Sequence, residues 1–253
     1  MSSEHNGTET GSTVALVAGG NSGVGAATVV KYRELGYSVA VFDLDCSATR
    51  QRWQDDAKVG AWDIDVTDYD GVKAGVDEVL QTFGGINILV NCVGWNTHSF
   101  FVDQEPAFWD KLIAINLLSG IYLTHAVLPH MTERRSGAIV LVSSDAGRVG
   151  TNGETVYAAA KGGVLAFVKS ISREVTRFGV RANAVSPGPT DTAMFHEATK
   201  DQPKIAETML RLVPMKRLAQ PEEQADAIVY LTGPNSSFIT GQTLSVNGGL
   251  NMF

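Results

Sequence analysis

The chain has 253 residues, room for one large α/β domain or two small ones, and its 44% apolar and 19% charged residues are the composition of a globular protein with ample core material. A formal charge of −7, with no Lys/Arg-rich run and no zinc-finger spacing, excludes the basic surface that a nucleic acid selects. No apolar run approaches the roughly 18 residues that cross a bilayer, and "MSSEHNGTETGS" at the start lacks the regions of a signal peptide, so a cytoplasmic protein with no membrane partner and a frayed tail over 1–12 is expected.

The first predicted strand, "TVALVA" (13–18), runs directly into "VAGGNSGVGAA", with glycines at 19, 20, 23 and 25, and then into a helical pattern over 24–35. Such glycines let a backbone turn tightly and approach a pyrophosphate, whose charge the exposed N–H groups and positive end of the following helix attract. Alone the pattern is weak. The second strand, "SVAVFD" (38–43), ends in Asp43, twenty residues beyond Gly23. A carboxylate there accepts hydrogen bonds from adenosine ribose hydroxyls and repels a 2′-phosphate. No Arg or Lys occupies 44–48, and Arg50 is the first cation past the strand, so NAD is expected over NADP.

Five further strands follow, at 58–64, 86–91, 137–143, 180–186 and 242–247, alternating with helical patterns at 68–83, 106–133, 155–178 and 221–232; Gly36, Gly84 and Gly179 close several of the helices. Alternation of this kind predicts right-handed βαβ units and a parallel sheet with helices on both faces, and the nearly continuous apolar strands agree. The segment 187–220 holds Pro187, Pro189, Pro203 and Pro214 with a weak helical pattern near 204–212, and reads as a lid over about 188–217. Cys46 and Cys92 are too far apart for a disulfide framework and read as small buried hydrophobes; neither they nor His5, His125 and His130 have partners at ligand spacing, so no metal is expected.

"SSDAGRVGTNGETVYAAAKGG" (143–163) places Tyr157 four residues before Lys161 and thirteen after Ser144. On a helix the phenol and the ammonium share a face, with Cβ atoms about 5–6 Å apart. A nearby cation favours the phenolate, which makes Tyr157 a candidate general base, and Ser144 at a strand end is a second donor for a substrate oxygen. Taken alone, a Y-x-x-x-K pair is usually packing or solvated surface. The glycine loop, Asp43 and Ser144 in this order change that.

These residues together resemble the short-chain dehydrogenase/reductase family over essentially 13–253. The glycine loop of that family matches Ala18 to Gly25, its adenine-flanking pair Asp65 and Val66, and its N-N-A-G segment "NCVG" at 91–94, giving Asn91, Val93 and Gly94. "SPGPTDT" at 186–192 matches its P-G segment, giving Pro187, Gly188, Thr190 and Thr192, and "NGG" at 247–249 its C-terminal turn. The resemblance implies one Rossmann-type doubly wound domain over 13–253, seven mostly parallel strands in the order 3-2-1-4-5-6-7, and NAD held by these residues with Gly19, Asn21, Ser22, Gly23, Val24, Asp43, Tyr157 and Lys161. It implies a catalytic tetrad of Asn116, Ser144, Tyr157 and Lys161. In it Tyr157 exchanges the proton, Ser144 orients the oxygen, Lys161 lowers the tyrosine pKa and holds a ribose, and Asn116 binds a water. A homotetramer is implied as well. Ala18 departs from a threonine that ties the loop to the next strand, and Cys92 and Val93 depart from Asn and Ala.

The reaction expected is interconversion of a secondary alcohol and a ketone in a small-molecule substrate. The subgroup resembled most is the 2-hydroxycyclohexanecarboxyl-CoA dehydrogenases, which oxidise a ring alcohol β to a thioester. Trp95, Asn96, Asp145, Glu154, Met194 and Phe195, with His98 and His196, are expected near the pocket or lid, and the apolar ones suit a bulky or aromatic substrate. A CoA thioester would call on Lys200, Lys204, Arg211, Lys216 and Arg217 in the lid; Asp145 and Glu154 at the mouth would instead receive an aryl amino alcohol. An NADPH-dependent 3-oxoacyl reductase, against which Asp43 weighs, and a non-catalytic NAD-binding regulator are the alternatives.

Overall fold

Strand formation follows the β-branched runs closely. In the computed structural model, which describes residues 12–200 and 203–252, they form β1 (Val14–Ala18), β2 (Ser38–Asp43), β3 (Val59–Asp63), β4 (Ile88–Asn91), β5 (Gly137–Val142), β6 (Val180–Pro187) and β7 (Thr243–Val246). They make one sheet in the order β3-β2-β1-β4-β5-β6-β7, with every pairing parallel. Apart from Ser12, the expected tail over 1–12 lies outside the described residues.

β1, β2 and β4 are buried almost throughout because helices cover both faces. On one face α1 (Gly23–Glu34) and α10 (Pro221–Thr232) pack over Val17, Val39, Val41, Val90 and Val140. On the other, α3 (Tyr69–Phe83), α5 (Ser119–Glu133) and α7 (Thr155–Val175) cover Leu16, Phe42, Leu89, Ile139 and Leu141. Full burial of each such side chain is worth about 1.5–3 kcal/mol. Helix ends are cut chemically: Asp68 accepts from Asp70 N ahead of α3, and Gly84 at φ 77° ends it in the left-handed region.

The expected helix over 106–133 is three pieces in one rod: α4 (Pro106–Ile113), a π-turn over Ala114–Leu118, and α5. By length and mean hydropathy, 1.6 over its best window, this rod would suffice to cross a membrane, contrary to the expectation from apolar runs; here it packs against α3, β4, β5 and α7. Three short helices carry no sequence signal of their own: α2 (Ser47–Arg52), α6 (Ala146–Val149) and α8 (Ala193–Thr199). In the lid region α8 is followed by α9 (Pro203–Leu212), and a bridge between Thr190 and Ala219 closes the two ends of the segment on each other.

The strand order reverses between β1 and β4, and the crevice outside the carboxyl ends of the strands at that reversal is where open α/β sheets bind ligands. Asp43, Asn91, Ser144 and Pro187 all stand at or just past those ends.

Candidate active site

The turn after β1 is packed so closely that only glycine fits. A Cβ on Gly25 would lie 1.9 Å from Gly19 O, and Gly19, at φ 73°, has Val93 N 3.0 Å from where its own Cβ would be. Ser22 makes no side-chain cap bond and α1 has no acidic residue in its first turn, so the helix start keeps its N–H donors and positive end for an anion. The loop is tied without the threonine that Ala18 replaces. Gly19 N donates to Phe42 O at 2.8 Å, Asn21 N donates to Asp43 Oδ2 at 3.0 Å, and Asn21 Oδ1 accepts from Thr49.

Asp43 therefore stands beside the loop, its second oxygen accepting from Leu44 N. Arg50, the nearest cation in sequence, is taken up by both oxygens of Asp63 at 2.8 and 2.7 Å. Asp65 accepts from Thr67 within its own turn, and Val66 is buried beside it. Asn91 is buried, donating to Ser119 Oγ and accepting from Val93 N. Past β6, Gly188 N donates to Val246 O, Thr190 Oγ1 accepts from Gln224, and Thr192 lies against Gly23, 3.4 Å from where a Cβ would be. A bare-backbone turn, an open helix start and a carboxylate beside them fit a dinucleotide.

Asn116, Ser144, Tyr157 and Lys161 converge at one point. The Ser144 hydroxyl favours the ionised form of the Tyr157 phenol, and Lys161 Nζ lies 5.9 Å from the centre of the Tyr157 ring. Lys161 Nζ donates to Val142 O at 3.0 Å and Val93 O at 3.4 Å, and a Cβ on Gly94 would lie 3.4 Å from both Lys161 Nζ and Asn116 Oδ1. The π-turn presents Asn116 inward, where its amide donates to Trp95 O and Leu112 O and accepts from Trp95 N. Its contacts are thus with backbone, chiefly that of the loop after β4.

Electrostatically the site departs from the sequence expectation. Burial pushes the Tyr157 phenol up to about 12; the Ser144 hydroxyl opposes this and the Glu154 charge adds to it. Lys161, 3% exposed, is itself drawn down to about 8 by burial. Desolvation outweighs the help an ammonium gives a phenolate, so in the protein alone Tyr157 is a protonated acid at neutral pH. Cys92 is likewise pushed up to about 12 by burial.

The expected pocket residues divide. Trp95 packs edge-to-face on Phe108, in a cluster with Leu112 and Tyr157. Asn96 Nδ2 donates to Glu154 Oε1 at 2.6 Å. Met194 is 47% exposed on α8, and Phe195 N caps onto Thr192 Oγ1. Asp145 is a correction: it lies 4% exposed, accepting from Asn247 and Asn251, and so ties the C-terminal turn to the Ser144 loop instead of lining a mouth. Several lid cations are engaged as well, Arg217 by Glu223 and Lys216 by Arg211 O; the Lys204 side chain lies outside the described residues. Lys111, whose Nζ sits 3.9 Å over the Trp95 ring, was not legible, because no spacing links the two in sequence.

Comparison with known proteins matches residues 18–251 to the family described as enoyl-(acyl carrier protein) reductase. The chain is 35% identical to the 3-oxoacyl-(acyl-carrier-protein) reductase FabG of Thermotoga maritima, covering 94% of this chain and 97% of that protein. It is 38% identical to an acetoacetyl-CoA reductase of Synechocystis, covering 93% and 95%. The crystal structure of gox2181 superposes with a TM-score of 0.90 at 29% identity, covering 95% of this chain and 96% of that one.

Proposed function

The chain belongs to the short-chain dehydrogenase/reductase family, and we propose that it interconverts a 3-oxoacyl thioester and the 3-hydroxyacyl thioester with NAD(H) as the redox partner. The observation that carries the reaction class is the placement of Tyr157 between Ser144 at the end of β5 and Lys161, whose Nζ lies 5.9 Å from the centre of the phenol ring and is held by Val142 O. The names of the relatives support the substrate class, since two of them reduce a ketone β to a thioester. The relatives favour the 3-oxoacyl reductase, the alternative in the sequence reading, over the cyclic 2-hydroxyacyl-CoA substrate expected first. Asp43, with Arg50 spent on Asp63, supports NAD over NADP.

A bound nicotinamide dinucleotide supplies the hydride acceptor or donor. Ser144 holds the substrate oxygen by hydrogen bond. Tyr157 donates its proton to that oxygen as a ketone is reduced, and takes it back as an alcohol is oxidised. The phenol is protonated at neutral pH, the form reduction needs. Lys161, fixed by Val142 O and Val93 O, supplies positive charge beside the phenol, and Asn116 fixes the Trp95 loop beneath it. The cofactor residues are those of the loop 19–24 with Asp43, Asp65, Val66, Asn91, Val93, Gly94, Pro187, Gly188, Thr190 and Thr192.

Steady-state rates with acetoacetyl-CoA and 3-hydroxybutyryl-CoA, against cyclic hydroxyacyl-CoA and free aryl alcohols, test the substrate class. The open-chain thioesters are expected to be turned over fastest, and no rate on any thioester would overturn the proposal. Tyr157→Phe is expected to lower turnover by about 10²–10⁴-fold with NAD binding nearly unchanged.

A further inference from the structure

Ser144 and Asp145 lead into α6, a helix of four residues with Asp145 at its N-cap. A helix that short does not hold itself. Ser144 Oγ accepts from Ala146 N at 3.2 Å, inside the first turn of α6, so the place of the hydroxyl depends on what holds this helix. On one side α6 is pressed against α7, where a Cβ on Gly147 would lie 2.6 Å from Lys161 C. On the other it is tied to the C-terminal segment: Asp145 Oδ2 accepts from Asn247 Nδ2 at 2.5 Å and from Asn251 Nδ2 at 3.0 Å, and Arg148 Nη2 donates to Thr243 O at 2.7 Å. Asn247 is fixed in its turn, donating to Asn251 O at 2.9 Å and accepting from Gly249 N at 3.0 Å. The same turn meets the end of the lid, where Met215 N donates to Gly248 O at 3.2 Å.

We propose that Asp145 is a positioning residue for Ser144: tied to Asn247 and Asn251, it holds α6 against α7 so that the serine hydroxyl and the Tyr157 phenol address one substrate oxygen. The inference rests on Ser144 holding that oxygen in the proposed function. A carboxylate taken out of water, 4% exposed, is a costly way to gain stability alone. Two short bonds converging on one of its oxygens supply something else, a fixed direction for the segment that carries Ser144. Through Gly248 the C-terminal turn becomes a strut shared by the lid and the serine, which sets the hydroxyl relative to the cover of the pocket as well as to α7.

Asp145→Ala is expected to lower kcat by about 10–10²-fold, the scale on which a small misplacement acts, with the dissociation constant of NAD near wild type. Asp145→Asn keeps an oxygen for both amides and is expected to recover most of the loss; an Asn variant as slow as the Ala one would overturn the proposal. Because the effect runs through the serine, Asp145→Ala should cost little further turnover in protein already carrying Ser144→Ala. A purely structural role predicts equal losses in both backgrounds, and that result also overturns it. Should Asp145→Ala fail to fold, Asn251→Ala removes one of the two donors and is expected to give the same pattern to a smaller degree. Amide hydrogen exchange at Ala146, whose N–H is donated to Ser144 Oγ, reads the placement without any substrate and is expected to speed up in Asp145→Ala. Faster exchange with no turnover of thioesters by the wild type sinks the proposed substrate class alone; unchanged exchange with equal losses in the two backgrounds sinks this inference alone.

Discussion

At Lys161 the demands of chemistry and of folding oppose each other. An ammonium 3% exposed, with two backbone carbonyls as acceptors, is drawn from 10.5 to about 8 by burial. Holding an ammonium there costs on the order of 3 kcal/mol, before the two carbonyl contacts are set against it. The sign follows from proton uptake: between about pH 8 and 10.5 the unfolded chain binds more protons, so the penalty is complete below pH 8 and vanishes above 10.5. Lys161→Met is therefore expected to melt a few degrees above wild type at pH 7 while losing turnover. In paired thermal scans the gap should narrow as pH rises from 8 toward 10; a variant that melts lower at pH 7 would show the ammonium to be a net stabiliser. The pair itself was legible from the Tyr157–Lys161 spacing. The direction of its electrostatics was not, because spacing reports who is near but not how much water has been removed.

The element that most repays inspection is the rod from Pro106 to Glu133. A 3.6-residue period detects the apolar stripe and passes over one inserted residue, so the π-turn at Ala114–Leu118 is invisible in the sequence. Its consequence is Asn116, placed inward where its amide satisfies Trp95 O, Trp95 N and Leu112 O. Asn116→Ala leaves the two Trp95 groups in the site without their partner. We expect a loss of about 1–3 kcal/mol, together with a looser Trp95 whose fluorescence is more readily quenched by acrylamide. A stability within about 0.5 kcal/mol of wild type in urea melts would mean that water takes over these bonds. Asp145 shows the same limit at longer range. Its neighbours in sequence suggested a pocket, whereas its partners Asn247 and Asn251 are about a hundred residues away and only the fold brings them together.

Across the whole molecule, seven apolar runs separated by helical patterns sufficed for the layers, because a strand covered on both faces has to be apolar throughout; the reversal of order at β1 and β4 came with the family resemblance. That reversal makes the dinucleotide site a property of the entire sheet: its residues come from the ends of β1, β2, β4, β5 and β6 and from the segment closed by the Thr190–Ala219 bridge. A ligand bound there holds together elements that unfolding must separate, so cofactor choice can be read as global stability. At a hundred times its dissociation constant NAD adds about 2.7 kcal/mol, which for a domain of this size raises the melting temperature by roughly 5–10 °C. NADP at the same concentration should raise it far less, since Asp43 meets the 2′-phosphate and Arg50 is already bound to Asp63. Asp43→Ala should shrink the NAD shift and enlarge the NADP one. A larger shift with NADP on the wild-type protein would mean that some cation other than Arg50 reaches the ribose, and would reverse the cofactor assignment while leaving the Ser144–Tyr157–Lys161 chemistry as it stands.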